Sequence, residues 1–251
     1  MEDQRNFVTS FARGLDVIQS FNNEPQGVTP SQVAKKTGLS RAAVRRFLLT
    51  LEMLEYVEHI GSAYHLRPSV LRLGCSYLSS STLPALAQPI LEEVSERVHE
   101  STSLSALDGD NIIYLARHTS ARVLSVGLSI GSRLPAYCTS MGRVLLANLP
   151  KNRLDAYMER TTFKKWTTKT VTSQKALMTI LAQVATDNYC IVDGELEPGL
   201  RSIAAPIRTS SGRVVAAMNV GAHVSTVTLE DMKKRILPVL REHAEILSRM
   251  L

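Results

Sequence analysis

The sequence predicts an α+β protein: an N-terminal winged helix-turn-helix, a linker helix, and a second domain in which helices flank an antiparallel sheet. Three observations lead to this prediction. Short, well-capped helical segments and an alternating hairpin pattern occupy the first 67 residues. Small polar residues then interrupt the helical pattern near residue 80. Beyond them, strand-like and helical patterns alternate to the end of the chain.

Composition sets the first limits on function. With 251 residues, of which 44% are hydrophobic, the chain can bury a sizeable core in one or two domains. The net charge of +6 favours an anionic partner. Cys75, Cys138 and Cys190 are odd in number and form no CxxC pair, which argues against a disulfide framework and a zinc site. We expect no metal and no cofactor.

The hydropathy pattern predicts a cytoplasmic protein with no membrane partner. The N-terminal "MEDQRNFVTSFARG" lacks the apolar core of a signal peptide. No apolar run reaches the roughly 18 residues of a membrane span.

The N-terminal region predicts three helices with clear local signals. "SFARGLDVIQSF" gives the first, with a stripe of Phe11, Leu15, Ile18 and Phe21. In "TPSQVAKKTG", Thr29 and Gln32 form a capping box around Pro30, and Gly38 ends the second helix. Ser40 caps the third helix. Its apolar stripe at helical spacing is Val44, Phe47, Leu48, Leu51 and Leu54.

The third helix is basic away from that stripe. Arg41, Arg45 and Arg46 lie near its start, and residues 25–51 contain no acidic side chain. Two helices joined by a tight turn, the second of them basic at its start, are typical of a helix-turn-helix whose second helix enters the major groove of DNA. The alternative for such a face is simple solvation.

A predicted hairpin follows and would form the wing. "YVEHIGSAYHLR" alternates on both sides of Gly61-Ser62. The order of helices, turn and hairpin favours DNA binding over a merely solvated face. The candidate DNA contacts are Thr29, Ser31, Gln32, Ser40, Arg41, Ala42, Arg45, Arg46, His59 and Tyr64.

Domain limits follow from the same patterns. We assign residues 1–67 to the winged helix-turn-helix, 68–82 to a linker helix and 83–251 to the second domain. In the second domain, "SLSALDGDNIIYLARH" predicts a hairpin and "RVLSVGLSIG" a further strand. "SMGRVLLANLP" and "SQKALMTILAQVATDN" predict helices. Strands around a Ser-Ser-Gly turn and a long helix from Leu229 to Leu251 complete it.

One segment of the second domain suits an anion. In "GSRLPAYCTSMGRVLLA", a helix start would present the free amide groups of Ser140, Met141 and Gly142. An ordinary N-cap is the alternative. Arg133 and Arg201 are further anion candidates, although each can instead pair with Asp193, Glu195 or Glu197.

Two other functions have weaker support. An enzyme would need Cys138 or Ser140 as nucleophile with a histidine base, and no known catalytic spacing is present. The basic run from Lys151 to Lys175, which contains Trp166, would suit a second nucleic-acid contact, but a solvated helix and loop explains it better.

Along nearly its whole length, the chain resembles the IclR family of transcriptional regulators. The matching segments are "TPSQVAKKTGLSRAAVRRFLLTLEMLEYVE", "GSRLPAYCTSMGRVLLA" and "DGELEPGLRSIAAPI". Within the family, it is most similar to regulators of protocatechuate, 4-hydroxybenzoate and β-ketoadipate catabolism.

The resemblance implies a GAF-like effector domain, a homodimer that can pair into tetramers, a double-stranded and palindromic DNA operator, and a small organic acid as effector. The family pocket falls on Val123, Val126, Leu134, Ser140, Met141, Val192 or Asp193, Ser202, Asn219 and Gly221. Where relatives that bind very small oxoacids offer serine or cysteine, Gly221 leaves room for a ring-sized acid and disfavours glyoxylate or pyruvate.

The sequence therefore predicts a DNA-binding regulator of an aromatic-acid catabolic operon that responds to an aromatic or dicarboxylic acid, and not an enzyme. Two alternatives stay open. One is a winged-helix DNA-binding protein without an effector, and the other is an enzyme with an accessory DNA-binding domain.

Overall fold

The computed structural model describes residues 6–22, 24–120 and 128–251. The chain divides into two units, residues 1–80 and 81–251. The N-terminal unit contains α1 (Thr9–Gln19), α2 (Pro30–Thr37), α3 (Arg41–Met53), β1 (Val57–Ile60), β2 (Ala63–Leu66), a 3-10 turn (Pro68–Val70) and α4 (Leu71–Ser80).

The C-terminal unit alternates helices and strands. Its elements are α5 (Thr82–Val98), β3 (Ser101–Asp108), β4 (Asn111–His118), β5 (Arg133–Pro135), a 3-10 turn (Ala136–Cys138), α6 (Ser140–Ala147), α7 (Lys151–Arg160), α8 (Gln174–Asp187), β6 (Cys190–Asp193), β7 (Leu200–Arg208), β8 (Val214–His223), α9 (Leu229–Asp231), a π-helical turn (Met232–Ile236) and α10 (Leu237–Arg249). The predicted α+β class is confirmed. Most of the predicted strand "RVLSVGLSIG" lies outside the described residues.

Local sequence signals explain the boundaries of α2 and α3. Thr29 and Gln32 form the predicted capping box, and Gly38 ends α2 in the left-handed conformation at φ 71°. The Ser40 hydroxyl accepts a hydrogen bond from the Ala43 amide at 3.2 Å and so caps α3. Because each cap satisfies an otherwise orphaned amide, local sequence sets where α2 and α3 begin.

The N-terminal core differs in part from the predicted stripes. Val44, Leu48 and Leu51 are buried as expected. Leu54 is 56% exposed because it follows the last turn of α3 as its C-cap. On α1 the exposed Phe11 and Leu15 do not reach the core, and the buried side chains are Val17 on the helix and Phe21 just after it.

The predicted wing is present. Strands β1 and β2 pair antiparallel, and Gly61 adopts φ 63° in the turn between them. Tyr64 of β2 exchanges both backbone hydrogen bonds with Val28, each at 2.8 Å. This bridge ties the wing to the chain just before α2.

A six-stranded antiparallel sheet organises the described part of the C-terminal unit. Its strand order is β5-β4-β3-β8-β7-β6. One face packs on α5 and α10 through an apolar cluster that includes Ile203, Met218 and Val220. The other face packs on α6 through a cluster that includes Met141 and Ala217. The alternation of each strand therefore decides which helix layer a side chain meets.

A β-bulge in β4 shifts this alternation. Leu104 pairs with Ala116, but the next residue, Ser105, pairs with Tyr114, so β4 carries one extra residue at Leu115. A bulge of this kind re-aims the side chains that follow it. As a result, Arg117 lies directly opposite Ser103.

The two adjacent leucines of α3 test the position of the N-terminal core. Leu48 is fully buried and Leu49 is 42% exposed. Leu48→Ala should lower the free energy of unfolding by about 2–5 kcal/mol, because the removed atoms leave a cavity. Leu49→Ala should cost much less. Urea unfolding followed by circular dichroism measures both, and equal losses would contradict this assignment of the core.

Candidate DNA interface and effector site

The exposed face of α3 presents an unpaired basic surface. Arg41, Ala42, Arg45 and Arg46 are all exposed, opposite the buried side of the helix. Within the described part of the chain, none of the three arginines has a carboxylate within 4.0 Å. Lys36 differs, since it pairs with Glu24 at 2.8 Å. The three guanidinium groups are therefore free to meet an external anion.

The other predicted DNA contacts divide into three groups. Ser31 and His59 are exposed, as a DNA contact requires. The side chains of Thr29, Gln32 and Ser40 are occupied by helix capping, so their role in DNA binding stays a prediction. The prediction that Tyr64 contacts DNA is wrong, because its side chain is buried.

Tyr64 belongs to the core and not to the DNA surface. Its side chain is 6% exposed and packs in the cluster with Val28 and Val57. The exposed His59, directly opposite Tyr64 in the β1–β2 ladder, stacks on its ring at 4.4 Å between ring centroids. Tyr64 therefore supports the wing from inside.

A layer of small polar side chains covers the α6 side of the sheet. We call Ser101, Ser103, Ser105, Ser202 and Asn219 the polar platform. All five are at least about nine-tenths buried. They lie on neighbouring strands β3, β8 and β7, where Ser103 pairs with Asn219 across the ladder. Burying a polar group lowers the stability of the fold unless the group forms a hydrogen bond.

The start of α6 lies against this platform. The Ser140 hydroxyl is 2.8 Å from that of Ser202, and the Ser105 hydroxyl donates a hydrogen bond to the Met141 sulfur at 3.1 Å. Ser140 and Met141 are both fully buried. The structure thus brings together the predicted helix start and the predicted strand residues.

The prediction of three free amides at this helix start is wrong for one of them. Thr139 is the N-cap, and its hydroxyl accepts a hydrogen bond from the Gly142 amide at 3.2 Å. Among the described residues outside α6, no backbone acceptor bonds to the amides of Ser140 and Met141, which also have no partner within the helix. Both amides belong to the first turn of α6, at the positive end of its helix dipole, where an anion is stabilised.

Two glycines give the site its shape for opposite reasons. A β-carbon at Gly142 would lie 2.1 Å from the Ala136 carbonyl oxygen, so α6 can approach its own N-terminal turn only with glycine there. A β-carbon at Gly221 would meet no described atom within 4 Å. Gly221 pairs with both Ser101 and Ser202. Among the described residues, open space therefore lies over the edge of the platform.

A buried ion pair holds α6 in place. The guanidinium of Arg143 contacts both carboxylate oxygens of Glu195 at 2.7 Å, and its Nε donates to the Tyr137 carbonyl at 2.8 Å. Glu195 also accepts a hydrogen bond from the Val171 amide at 3.0 Å. This network joins α6, the loop before α8 and the β6–β7 turn.

The prediction that Arg201 and Asp193 line the effector pocket is wrong. They pair with each other in the β6–β7 ladder and alternate to the face away from α6. Arg201 contacts Asp193 at 2.7 Å and donates to the Val227 carbonyl at 2.7 Å. Hydrogen bonds from Arg201 and Lys169 lower the pKa of the Asp193 carboxyl. Val192, the alternative prediction, lies on the α6 side beside Ser202.

The prediction that Arg133 lines the effector pocket is also wrong. This residue lies on the edge strand β5, where it pairs with Asp108 at 2.9 Å and is 44% exposed. Leu134 is on the α6 side, but β5 is three strands from β8, or roughly 14 Å at the usual strand spacing. Val123 and Val126 lie outside the described residues.

The sequence interpretation missed the serines of β3. Ser101, Ser103 and Ser105 recur at a period of two in a predicted strand, and this alternation was the available signal. Arg117 was missed as well, because no sequence pattern predicted the bulge that places Arg117 opposite Ser103. Its guanidinium lies 5.9 Å from the centre of the Tyr114 ring, which adds positive charge beside the platform.

The described side chains do not form an active site at the candidate nucleophiles. Cys138 is fully buried, and burial raises the pKa of its thiol to about 12, which keeps it protonated. The Ser140 hydroxyl bonds to Ser202 and to no described histidine. Among the described residues, no group of His, Cys, Asp and Glu could hold a metal ion. No described helix is long and apolar enough to span a membrane.

Two family models together match most of the chain. The "IclR helix-turn-helix domain" matches residues 10–61. The "Bacterial transcriptional regulator IclR C-terminal" model matches residues 75–249. The chain is also similar to regulators and regulator structures along nearly its whole length.

Three relatives illustrate this similarity. The Pca regulon regulatory protein of Pseudomonas putida is 47% identical over 94% of this chain and 81% of its own length. The p-hydroxybenzoate hydroxylase transcriptional activator of Acinetobacter baylyi is 32% identical over 98% of this chain and 92% of its own. The crystal structure of an IclR homolog complexed with 4-hydroxybenzoate, from Microbacterium hydrocarbonoxydans, is 25% identical, with a TM-score of 0.79 over 97% and 100% of the two chains. The first two relatives are named as a regulatory protein and a transcriptional activator.

Two glutamates of the β6–β7 turn test the buried ion pair. Glu195→Gln removes the charge that neutralises Arg143 and should cost about 3–5 kcal/mol of stability, because the guanidinium stays buried without a counter-charge. Glu197 is exposed, and Glu197→Gln should change stability by less than about 0.5 kcal/mol. Thermal and urea unfolding report both, and a Glu195→Gln protein as stable as the control would refute the role of the pair.

Proposed function

Because the chain belongs to the IclR family of bacterial transcriptional regulators, with a DNA-binding domain and an effector-binding domain, we propose that it regulates an aromatic-acid catabolic operon in response to a small acid. The observation that carries the effector half is the polar platform beneath the free amides of Ser140 and Met141. The names of the Pca and p-hydroxybenzoate relatives, and the ligand of the Microbacterium homolog, support the aromatic class.

The N-terminal unit would read DNA with α3. Arg41 and Arg45 are separated by one helical turn and Arg46 lies beside them, so the first half of the helix offers donors for guanine edges or phosphates. Because these arginines have no described acidic partner, no ion pair among the described residues has to break when DNA binds. The contacts would be completed by Thr29, Ser31, Gln32, Ser40, Ala42 and His59.

The C-terminal unit would bind the acid between α6 and the platform. The amides of Ser140 and Met141 would take the carboxylate, and the space over Gly221 would take the body of the ligand. Ser202 and Asn219 would line that space from the sheet. The hydrogen bonds of Ser140 with Ser202 and of Ser105 with Met141 support this proposal, because they hold the start of α6 against the platform without a ligand.

A homodimer, and a tetramer formed from two dimers, fits the exposed apolar residues of the N-terminal unit. Val8, Phe11 and Leu15 form an exposed stripe at the start of α1, and Leu71 and Leu73 are exposed on α4. Val8, Phe11 and Leu15 recur at helical spacing, and an exposed apolar stripe of this kind indicates an interaction site. A two-fold symmetric dimer would bind a palindromic operator in the cytoplasm.

We propose three segments: the DNA-binding domain at residues 1–67, the linker at residues 68–82 and the effector-binding domain at residues 83–251. An effector can change DNA affinity only through its different affinities for two states of the protein. Such a change would be transmitted along the linker, since it is the covalent connection between the domains.

The second basic run gives little support to a DNA-binding protein without an effector. Within it, Lys151 pairs with Asp155, Arg160 with Asp110 and Lys169 with Asp193. Exposed pairs of this kind are features of a solvated surface.

Arg45 tests the DNA interface. Arg45→Ala should weaken binding to a double-stranded DNA selected from a random library by the wild-type protein, with a loss of roughly 1–3 kcal/mol. Arg249→Ala removes the same charge from an 80% exposed side chain in the C-terminal unit and should leave affinity unchanged. Fluorescence anisotropy at fixed salt measures both. Equal affinities of the Arg45→Ala and wild-type proteins would show that another surface reads DNA.

Gly221 tests the effector site. In thermal unfolding with 4-hydroxybenzoate, protocatechuate or β-ketoadipate, a true effector at a hundredfold excess over its Kd should add about 2.7 kcal/mol of stability. Gly221→Val should abolish this gain by filling the open space, with Gly221→Ala intermediate, while the ligand-free proteins stay folded because β-branched residues suit strands. An undiminished ligand effect in Gly221→Val would move the site elsewhere, and no effect of any acid on the wild type would remove the effector.

A further inference from the structure

A second cavity of the C-terminal unit lies away from the polar platform. It measures about 680 Å³, a size that suits a small molecule, and Arg208 of β7 and Arg241 of α10 line it. We call it the α10 cavity. Ser202, the platform residue of β7, is separated from Arg208 by roughly 20 Å of extended strand. Ala205, which also lines the cavity, belongs to the cluster on the α10 face of the sheet. The α10 cavity is therefore separate from the proposed effector site.

The lining of the α10 cavity is positively charged. The described residues that line it include three arginines, Arg208, Arg241 and Arg249, and one carboxylate, Glu245, which gives a net charge of +2. Glu245 pairs with Arg249 at 3.5 Å, and both side chains are largely exposed, so solvent weakens this pair. Among the described residues, no carboxylate lies within 4.0 Å of the guanidinium of Arg208 or Arg241. Two of the arginines therefore keep their full charge.

Neutral oxygens hold these two arginines side by side. Nη2 of Arg208 donates a hydrogen bond to Oδ1 of Asn188 at 2.7 Å. Nη2 of Arg241 donates to the carbonyl of Asp187 at 2.7 Å. Because Asp187 and Asn188 are consecutive, the two guanidinium groups converge on the end of α8. The Asp187 carboxylate accepts a hydrogen bond from Gln183 instead, at 2.8 Å.

The end of α8 does not neutralise the two converging charges. A helix C-terminus attracts cations, but its dipole amounts to about half an elementary charge. Two guanidinium groups carry twice a full charge, and like charges that are held close together repel each other. An anion between them would remove this repulsion, and its oxygens could each meet a planar guanidinium fork. The convergence favours one compact anion over two widely spaced carboxylates.

The edge of β7 leaves room for a ligand and is poorly suited to another strand. Strand β6 pairs with β7 only as far as Ala204. Beyond it, Pro206 has no amide hydrogen, and the Arg208 amide donates to the Ser248 hydroxyl at 2.9 Å. A strand from a second copy of the chain would therefore find few donors here. Pro206 and Ala244 instead give the cavity an apolar wall.

We propose that the α10 cavity binds a phosphorylated small molecule, with the phosphate group held by Arg208 and Arg241 and the body of the molecule against Pro206 and Ala244. Near neutral pH a phosphate monoester carries close to two negative charges on one group, which matches the charge of the lining. Such a ligand would give the regulator a second input, at a different place from the proposed acid effector. The assignment does not depend on the effector site.

Isothermal titration of the full chain at slightly alkaline pH and fixed salt tests the ligand class. Phenyl phosphate should bind more tightly than inorganic phosphate, because its ring covers the apolar wall. Succinate carries its two charges on separated carboxylates and should bind at least about tenfold more weakly than phenyl phosphate. Equal binding of phenyl phosphate and succinate would refute the preference for phosphate. Equal binding of the two phosphates would refute the phosphorylated molecule in favour of free phosphate, and no binding of either would overturn the site.

Variants that remove one charge locate the ligand. Arg208→Gln and Arg241→Gln each keep a donor for the end of α8, and each should weaken phenyl phosphate binding about tenfold to a hundredfold. Arg213→Gln is the matched control, because Arg213 is exposed in the β7–β8 turn and does not line the cavity. Circular dichroism of the ligand-free variants confirms folding. Wild-type affinity in both cavity variants, or an equal loss in the control, would contradict the proposal.

Two further variants separate this cavity from the platform. Ser210 is exposed and lines the cavity, so Ser210→Asp brings in a repelling charge and should weaken phenyl phosphate binding about tenfold. Gly221→Val should leave phenyl phosphate binding unchanged. Full binding to Ser210→Asp, or a loss of binding in Gly221→Val, would overturn the assignment to the α10 cavity. A wild-type protein that binds 4-hydroxybenzoate but neither phosphate would overturn this inference alone and leave the proposed function standing.

Discussion

The close packing of α6 against its own N-terminal turn is the constraint on which the proposed effector site depends. Gly142 lies so near the Ala136 carbonyl that no side chain fits between them. The next residue, Arg143, is fixed by Glu195 and by the Tyr137 carbonyl. These contacts hold the amides of Ser140 and Met141 over the sheet, so the donors of the proposed site would be preorganised.

The two faces of the sheet separate stability from recognition. The face towards α5 and α10 is apolar, with Ile203, Met218 and Val220 fully buried. The face towards α6 carries the polar platform, whose serine and asparagine side chains occupy positions where apolar side chains would stabilise the core. Such an exchange lowers stability unless the groups are bonded, and it is expected where a protein binds a polar ligand.

The N-terminal unit shows the same division on a single helix. The buried side of α3 packs Val44 and Leu48 into the core, while Arg45 and Arg46 face outward without described counter-charges. Capping by Ser40 fixes where the helix begins and so fixes which residues share its exposed face. The wing depends on Tyr64, whose ring is used for packing and is not available to DNA.

The sequence by itself determined the features that depend on local chemistry. The capping box at Thr29, the glycine end of α2, the cap at Ser40 and the turn at Gly61 all follow from neighbours in the chain, and the family resemblance pointed to Ser140, Ser202 and Asn219. Only the tertiary structure decided which face each side chain takes. Strand register turned Arg201 and Asp193 away from α6, the bulge in β4 brought Arg117 opposite Ser103, and the bridge to Val28 buried Tyr64. These outcomes depend on partners distant in sequence, and a shift of one residue in register sends a side chain to the opposite face.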